Sequence, residues 1–173
     1  MFLTKPEIMY KESFIEALEE FHLEGRNLSF EVDDLNRDFM GFVQQLIDKS
    51  DSTKITKERV PETYFWLIDN NEFIGRVSIR HYLVAHLYRG GHVGYEIRPS
   101  KRGLGYGKQI LKLGVEKARD IGLTKVLLTC DSDNFGSKKI IEYCDGNLEN
   151  EIVNSETGIS KLRYWIELMG YST

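Results

Sequence analysis

The sequence predicts one mixed α/β domain, a sheet with helices on its faces, and three observations carry that prediction. Two stretches of helical periodicity open the chain, strand-like segments follow, and helix and strand patterns then alternate to the end. No internal repeat, low-complexity segment or linker rich in proline, glycine and serine interrupts them. The 173 residues suffice for one compact domain and are too few for two comfortable ones.

Residues 8–24 place Ile8, Phe14, Ile15, Leu18, Phe21 and Leu23 at near-helical spacing, and Gly25 ends that helix. A second helix is expected over about 34–48, with Leu35, Phe39, Phe42, Val43, Leu46 and Ile47 on one side. Residues 49–61 read as a polar loop. The run Thr63–Ile68 is aromatic and β-branched, with Tyr64-Phe65-Trp66 expected in the core. The turn residues Asp69-Asn70-Asn71-Glu72 then lead to a second strand at 73–79, which makes a hairpin. A third strand, His92–Ile97, follows Gly90-Gly91. A helix then carries Ile110, Leu111, Gly114, Val115, Ala118 and Ile121 on its apolar face and closes at Gly122. Lys125–Cys130 is a buried-type strand. Asp133 and Asn134 can cap a short helix to about 143. Strands at 151–153 and 161–168, joined across Glu156-Thr157-Gly158, close the domain.

Composition excludes several function classes. The net charge of -4 and the isoelectric point of about 5.6 leave no basic stripe for a nucleic-acid backbone. Cys130 and Cys144 stand in no C-x-x-C pair and beside no histidine at zinc-site spacing, so neither a disulfide framework nor a structural metal is expected. The opening residues, Met1 to Glu7, lack a basic segment followed by an apolar one, so no signal peptide is read. No run approaches the ~20 apolar residues of a membrane helix. A cytoplasmic protein is expected.

Chemistry concentrates in residues 92–114, where a strand feeds a glycine-rich turn that opens a helix. The first turn of a helix presents unpaired N–H groups and a partial positive charge. Gly103, Gly105 and Gly107 remove side chains that would keep phosphate oxygens away, and Arg102 and Lys108 can add charged contacts. A pyrophosphate is the natural guest. The dinucleotide pattern G-x-G-x-x-G fails, because it needs glycine at Lys108 or at Ile110. A P-loop needs glycine at Arg102 and Ser or Thr at Gln109. A kinase loop needs a following lysine strand and a catalytic-loop pattern, and neither follows.

Arg102-Gly103-Leu104-Gly105-Tyr106-Gly107 fits R-x-x-G-x-G, and it resembles the acetyl-coenzyme A signature of the general N-acetyltransferase (GNAT) superfamily. Gly94–Ser100 is similar to the family's preceding strand, and the helix, Lys125–Cys130 and Asn134–Glu142 are similar to its next three elements. The resemblance is strong over about 72–148 and weak over the first 60 residues. It implies a central, mostly antiparallel sheet of six to seven strands. It divides the single domain 1–173 into a cofactor half at about 72–148 and an acceptor side at about 1–71 and 149–173. It further implies that acetyl-CoA is the cosubstrate. Its pyrophosphate would be held by the backbone from Gly103 through Leu104, Gly105, Tyr106 and Gly107 to Lys108, and by the Arg102 side chain. The pantetheine arm would lie in a gap between Glu96–Arg98 and Thr129–Asp131, beside Ile97, Arg98 and Asn134. An N–H near Ile97 would polarise the thioester carbonyl.

Family members transfer the acetyl group directly to an amine, which must be neutral to attack. At a reference pKa of about 10.4, roughly one lysine-type amine in 2,500 is neutral at pH 7, so a base or a water chain to one helps. Glu96 and His92 are the candidates, with His81 and His86 behind them. Glu96 is nearest in sequence to the expected thioester, and on an extended strand it shares a face with His92 and Gly94. Many family members carry a tyrosine seven residues after the asparagine to protonate the departing thiolate. Ile141 stands there, and Tyr143, two places on, is the substitute candidate. Cys130 as an acyl acceptor competes with a buried strand-end role. The expected function is therefore transfer to a primary amine of a small-molecule or peptide acceptor, with a homodimer compatible and no nucleic acid, membrane or metal involved. A catalytically silent CoA-binding regulatory domain is the alternative that the departure at Ile141 suggests. A protein-interaction domain with a structural glycine loop is a further one.

Overall fold

The computed structural model describes residues 1–153 and 158–168. Among the described residues, seven strands form two antiparallel sheets. The first, in order β1 (Phe2–Thr4), β2 (Glu62–Asp69), β3 (Glu72–Arg80) and β4 (Val93–Ile97), is followed in space by β5 (Lys125–Asp131), β7 (Ser160–Glu167) and β6 (Asn147–Val153). The helices are α1 (Lys11–Leu23), α2 (Val32–Arg37), α3 (Phe39–Asp48), α4 (Tyr106–Asp120) and α5 (Phe135–Tyr143). Among the described residues, no helix is long and apolar enough to cross a membrane.

Strand β2 is apolar on both faces because both are covered. Phe65 and Leu67 enter a core with Val77, Ile110, Leu111 and Val126, under α4. Trp66 and Ile68 point the other way, into a core with Phe14, Leu18, Phe39, Phe42 and Phe73, under α1 and α3. Phe14 stacks on Trp66 at 4.8 Å and meets Phe73 edge-on at 5.0 Å. Such pairs add about 0.5–1.5 kcal/mol each beyond the area they bury. The aromatic run is core at Phe65 and Trp66, but Tyr64 is only half-buried. The hairpin turn holds Asn70 at φ 47° and Asn71 at φ 65°, the two left-handed residues of a type I′ turn.

Three expectations change. The helix expected over 34–48 is two helices, because Asp38 leaves helical geometry (φ -143°, ψ 68°) and its carboxylate caps α3 by accepting from Gly41 N at 2.8 Å. Strand β1, three residues long and antiparallel to β2, was not anticipated. The continuous sheet is two sheets, parted between β4 and β5. Glu156 and Thr157 of the expected closing turn lie outside the described residues.

Candidate active site

The two sheets touch at one point and open from there. His92, just before β4, donates its N–H to Leu127 O at 2.7 Å, and Leu127 N donates to His92 Nδ1 at 2.9 Å. Burial and the nearby Arg80 charge push His92 down to about 4, so it stands neutral at pH 7. An imidazole committed to a backbone N–H and titrating so low is a pin between the sheets, and it lines neither of the cavities described below. His81 bonds Thr63 Oγ1 at 2.8 Å, and His86 is exposed; neither lines them either.

Beyond the pin a cavity of about 360 Å³ opens, lined by Arg26, Tyr95, Glu96, Ile97, Arg102, Gly103, Gly107, Asn134, Gly136, Ser137 and Ile140. Antiparallel pairing explains what β4 offers it. Arg98 N bonds Ile74 O at 2.9 Å, so alternation turns the Ile97 N–H away from β3 and toward the opening. Across the gap, Asn134 caps α5 by accepting from Ser137 N at 3.0 Å, which leaves its NH₂ group unengaged among the described residues.

The glycine turn forms an anion cradle. Gly103 and Gly105 sit at φ +76° and +88°, and a Cβ at either would face open space. Among the described residues, no acceptor pairs with the backbone N–H groups of Gly103, Leu104, Gly105, Tyr106 or Gly107 at the start of the fifteen-residue α4. Such a run of free donors at a helix N-terminus suits a pyrophosphate. Arg102 stands beside it. Its guanidinium bonds both oxygens of Glu24 at 2.8 and 2.9 Å, and its Nε bonds Ile97 O at 3.1 Å.

Other expected side chains point elsewhere. Arg98 is buried and its guanidinium serves α1, bonding Glu20 at 2.7 Å and Glu16 at 3.3 Å, so it contributes no charge to the cleft. The Tyr106 hydroxyl donates to Asp69 Oδ2 at 2.7 Å. Leu104 is exposed. Lys108 Nζ lies 4.1 Å from the Tyr143 ring centroid, and Tyr143 is 59% exposed outside the cleft lining. An α5 surface position, not a cleft position, is where the helical phase puts Tyr143. Burial, with Asp131 nearby, pushes the Cys130 thiol up, which makes it a poor acyl acceptor.

The cleft wall holds a tyrosine that pattern reading passed over. The Tyr95 hydroxyl is buried with no partner of hydrogen-bond geometry among the described residues, although the Ser137 side chain lies beside it. Burial pushes Tyr95 up to about 12. Ser137, Gly136 and Ile140 went unassigned as well; their only signal was their place on the helix after Asn134.

A second cavity, of about 320 Å³, lies on the other side of β4. Phe30, Leu46, Lys49, Glu62, Tyr64, Arg76, Ser78, Arg80, Gly94, Tyr95 and Glu96 line it. Tyr95 and Glu96 line both cavities. Glu96 Oε1 takes Arg76 Nε at 2.6 Å and Asn27 Nδ2 at 3.1 Å, whereas among the described residues Oε2 faces only Arg26, at 3.5 Å. Arg26 is half-exposed, so Oε2 is the loosely held oxygen.

Three comparisons bear on this geometry. The family described as the acetyltransferase (GNAT) domain matches residues 17–147. No curated protein is significantly similar in sequence. Solved structures share the fold at low identity. The ribosomal L7/L12 α-N-protein acetyltransferase RimL, in complex with coenzyme A, is 14% identical at a TM-score of 0.71, over 95% of this chain and 92% of its own. The microcin C7 self-immunity acetyltransferase MccE, in complex with acetyl-CoA and AMP, is 16% identical at 0.68, over 95% and 91%. A spermidine N-acetyltransferase SpeG chimera from Vibrio cholerae and hSSAT is 15% identical at 0.65, over 97% of each chain.

Proposed function

Because the chain belongs to the GNAT acetyltransferase family, we propose that it transfers the acetyl group of acetyl-CoA directly to a primary amine, the two substrates meeting at Tyr95 and Glu96 from opposite sides of β4. One observation carries this reading: separate cavities, one beside an anion cradle and one not, converge on the same two residues. A ternary complex needs two entrances of this kind.

Acetyl-CoA supplies the acetyl group as a thioester. The free N–H groups from Gly103 to Gly107 would hold the pyrophosphate, with Arg102 beside them once it leaves Glu24, and Asn134 lies along the cleft for the pantetheine amides. The Ile97 N–H faces the opening and stabilises negative charge as it develops on the carbonyl oxygen. Glu96 Oε2 takes the acceptor's proton once the incoming ammonium displaces Arg26. Tyr95 keeps its proton at pH 7, because burial pushes it up to about 12, and offers a hydrogen bond to the departing sulfur. That is the place Tyr143 does not reach.

RimL and SpeG, which share the fold, are named for a protein and a polyamine acceptor, so both peptide and small-molecule amines stay within the proposal. The free thiols of Cys130 and Cys144 suit the reducing cytoplasm. The test is amine-dependent thiol release from acetyl-CoA in wild type and Glu96→Gln. Loss of the base should lower kcat/KM by about 10²–10⁴ and alter the pH–rate profile. An unchanged profile removes Glu96 as the base, and no release with any amine removes acyl transfer.

A further inference from the structure

The second cavity carries more positive charge than it neutralises. Of its three cations, Arg76 is spent on Glu96 at 2.6 Å. Arg80 donates to Gly91 O at 2.8 Å and reaches Glu62 only at 3.9 Å. Lys49 is half-buried where α3 ends, its backbone O held by Glu62 N at 2.9 Å, and its Nζ lies 4.8 Å from the Tyr64 ring centroid. Among the described residues, no carboxylate lies within ion-pair range of Lys49. Glu62 already accepts from Tyr64 OH at 3.1 Å. Burial, Arg59 and Arg76 together outweigh the Glu62 charge and lower the Lys49 ammonium from its ordinary value.

A half-buried ammonium over an aromatic ring, without an anionic partner, has a standing desolvation cost that a ligand anion would relieve. We propose that the acceptor is a primary amine that also bears an acidic group, a carboxylate or a phosphate, seated on Lys49 with Arg80 alongside while its amine reaches Glu96. The assignment rests on the acyl-transfer reading for which end of the ligand reacts. The Ser78 hydroxyl lines the same cavity and can complete the anion's hydrogen bonds. A polyamine would bring its distal ammonium against Lys49 and Arg80. Such like-charge contact is a means of rejecting the wrong partner.

The test pairs probes that differ in the anion. Aminohexanoate and aminopropyl phosphate are compared with hexylamine, propylamine and spermidine by thiol release. N-acetylaminohexanoate is compared with its amide by calorimetry, which needs no turnover. Wild type should favour each acid over its neutral counterpart by roughly tenfold or more, the worth of one charge-assisted hydrogen bond. Lys49→Met should erase that preference through KM, and Lys49→Glu should turn it toward spermidine. The carboxylate and phosphate arms identify which anion fits. Equal binding of acid and amide, better turnover of spermidine by wild type, or a preference that survives Lys49→Met overturns the proposal. If the acid outbinds its amide while no amine releases thiol, the anion subsite stands and acyl transfer is what fails.

Discussion

His92 shows how a residue type suggests one role and its neighbours impose another. Its place on the strand leading to the thioester made it a candidate base, since histidine is the side chain poised near neutrality. The backbone of Leu127 and the charge of Arg80 are distant in sequence, and they convert it into a neutral strut. The structural role makes its own prediction. With a folded value of about 4 against an ordinary 6.5, the unfolded chain binds the extra proton between those limits, so stability rises with pH from about 4 to 6.5 and is flat above. Acidification across that window should remove about 2–3 kcal/mol, and His92→Asn should flatten this part of the stability–pH curve in denaturant titrations. A curve of the same slope in the variant would show that another group titrates. Glu96 is the converse case. The sequence makes it the expected base, but only the fold reveals Arg76 on one oxygen and the looser Arg26 on the other. Tyr95 carried no signal, because a tyrosine alternating with valine and isoleucine on a strand reads as packing.

Among elements, the glycine turn and α4 are legible because the features expected of an anion site are written in backbone. Positive φ at Gly103 and Gly105 and free donors at a helix start need only glycines at the right spacing before an amphipathic run. Gly105→Val adds a β-branched side chain at φ +88°, costing of the order of 1–3 kcal/mol of stability, and fills space that is open beside the turn. It should leave a folded domain by circular dichroism and weaken acetyl-CoA binding by about a hundredfold or more, as the loss of two charge-assisted bonds implies. Unchanged affinity in the folded variant would move the cofactor site away from this turn. The break between α2 and α3 was less legible. Leu35, Phe39, Phe42 and Leu46 keep one apolar face across it, and only Asp38, a common cap, marked the interruption. Strand β1 is too short for any period to show.

In the whole molecule, the α/β class and the glycine turn follow from local pattern, whereas the second cavity does not. Lys49, Glu62, Tyr64, Arg76, Arg80 and Glu96 come from a loop and three strands, and no spacing in the sequence announces their assembly. The parting of β4 from β5 opens the cavity beside the glycine turn on one side of β4, while the second cavity lies on the other. The central claim is that this cleft binds acetyl-CoA, and thermal unfolding with and without it is the direct measurement. At about 100 times the dissociation constant, binding adds roughly 2.7 kcal/mol, which raises the midpoint of a domain of this size by about 5–10 °C. That rise is the expected result. No shift at millimolar acetyl-CoA would contradict the account and leave the cleft without its substrate.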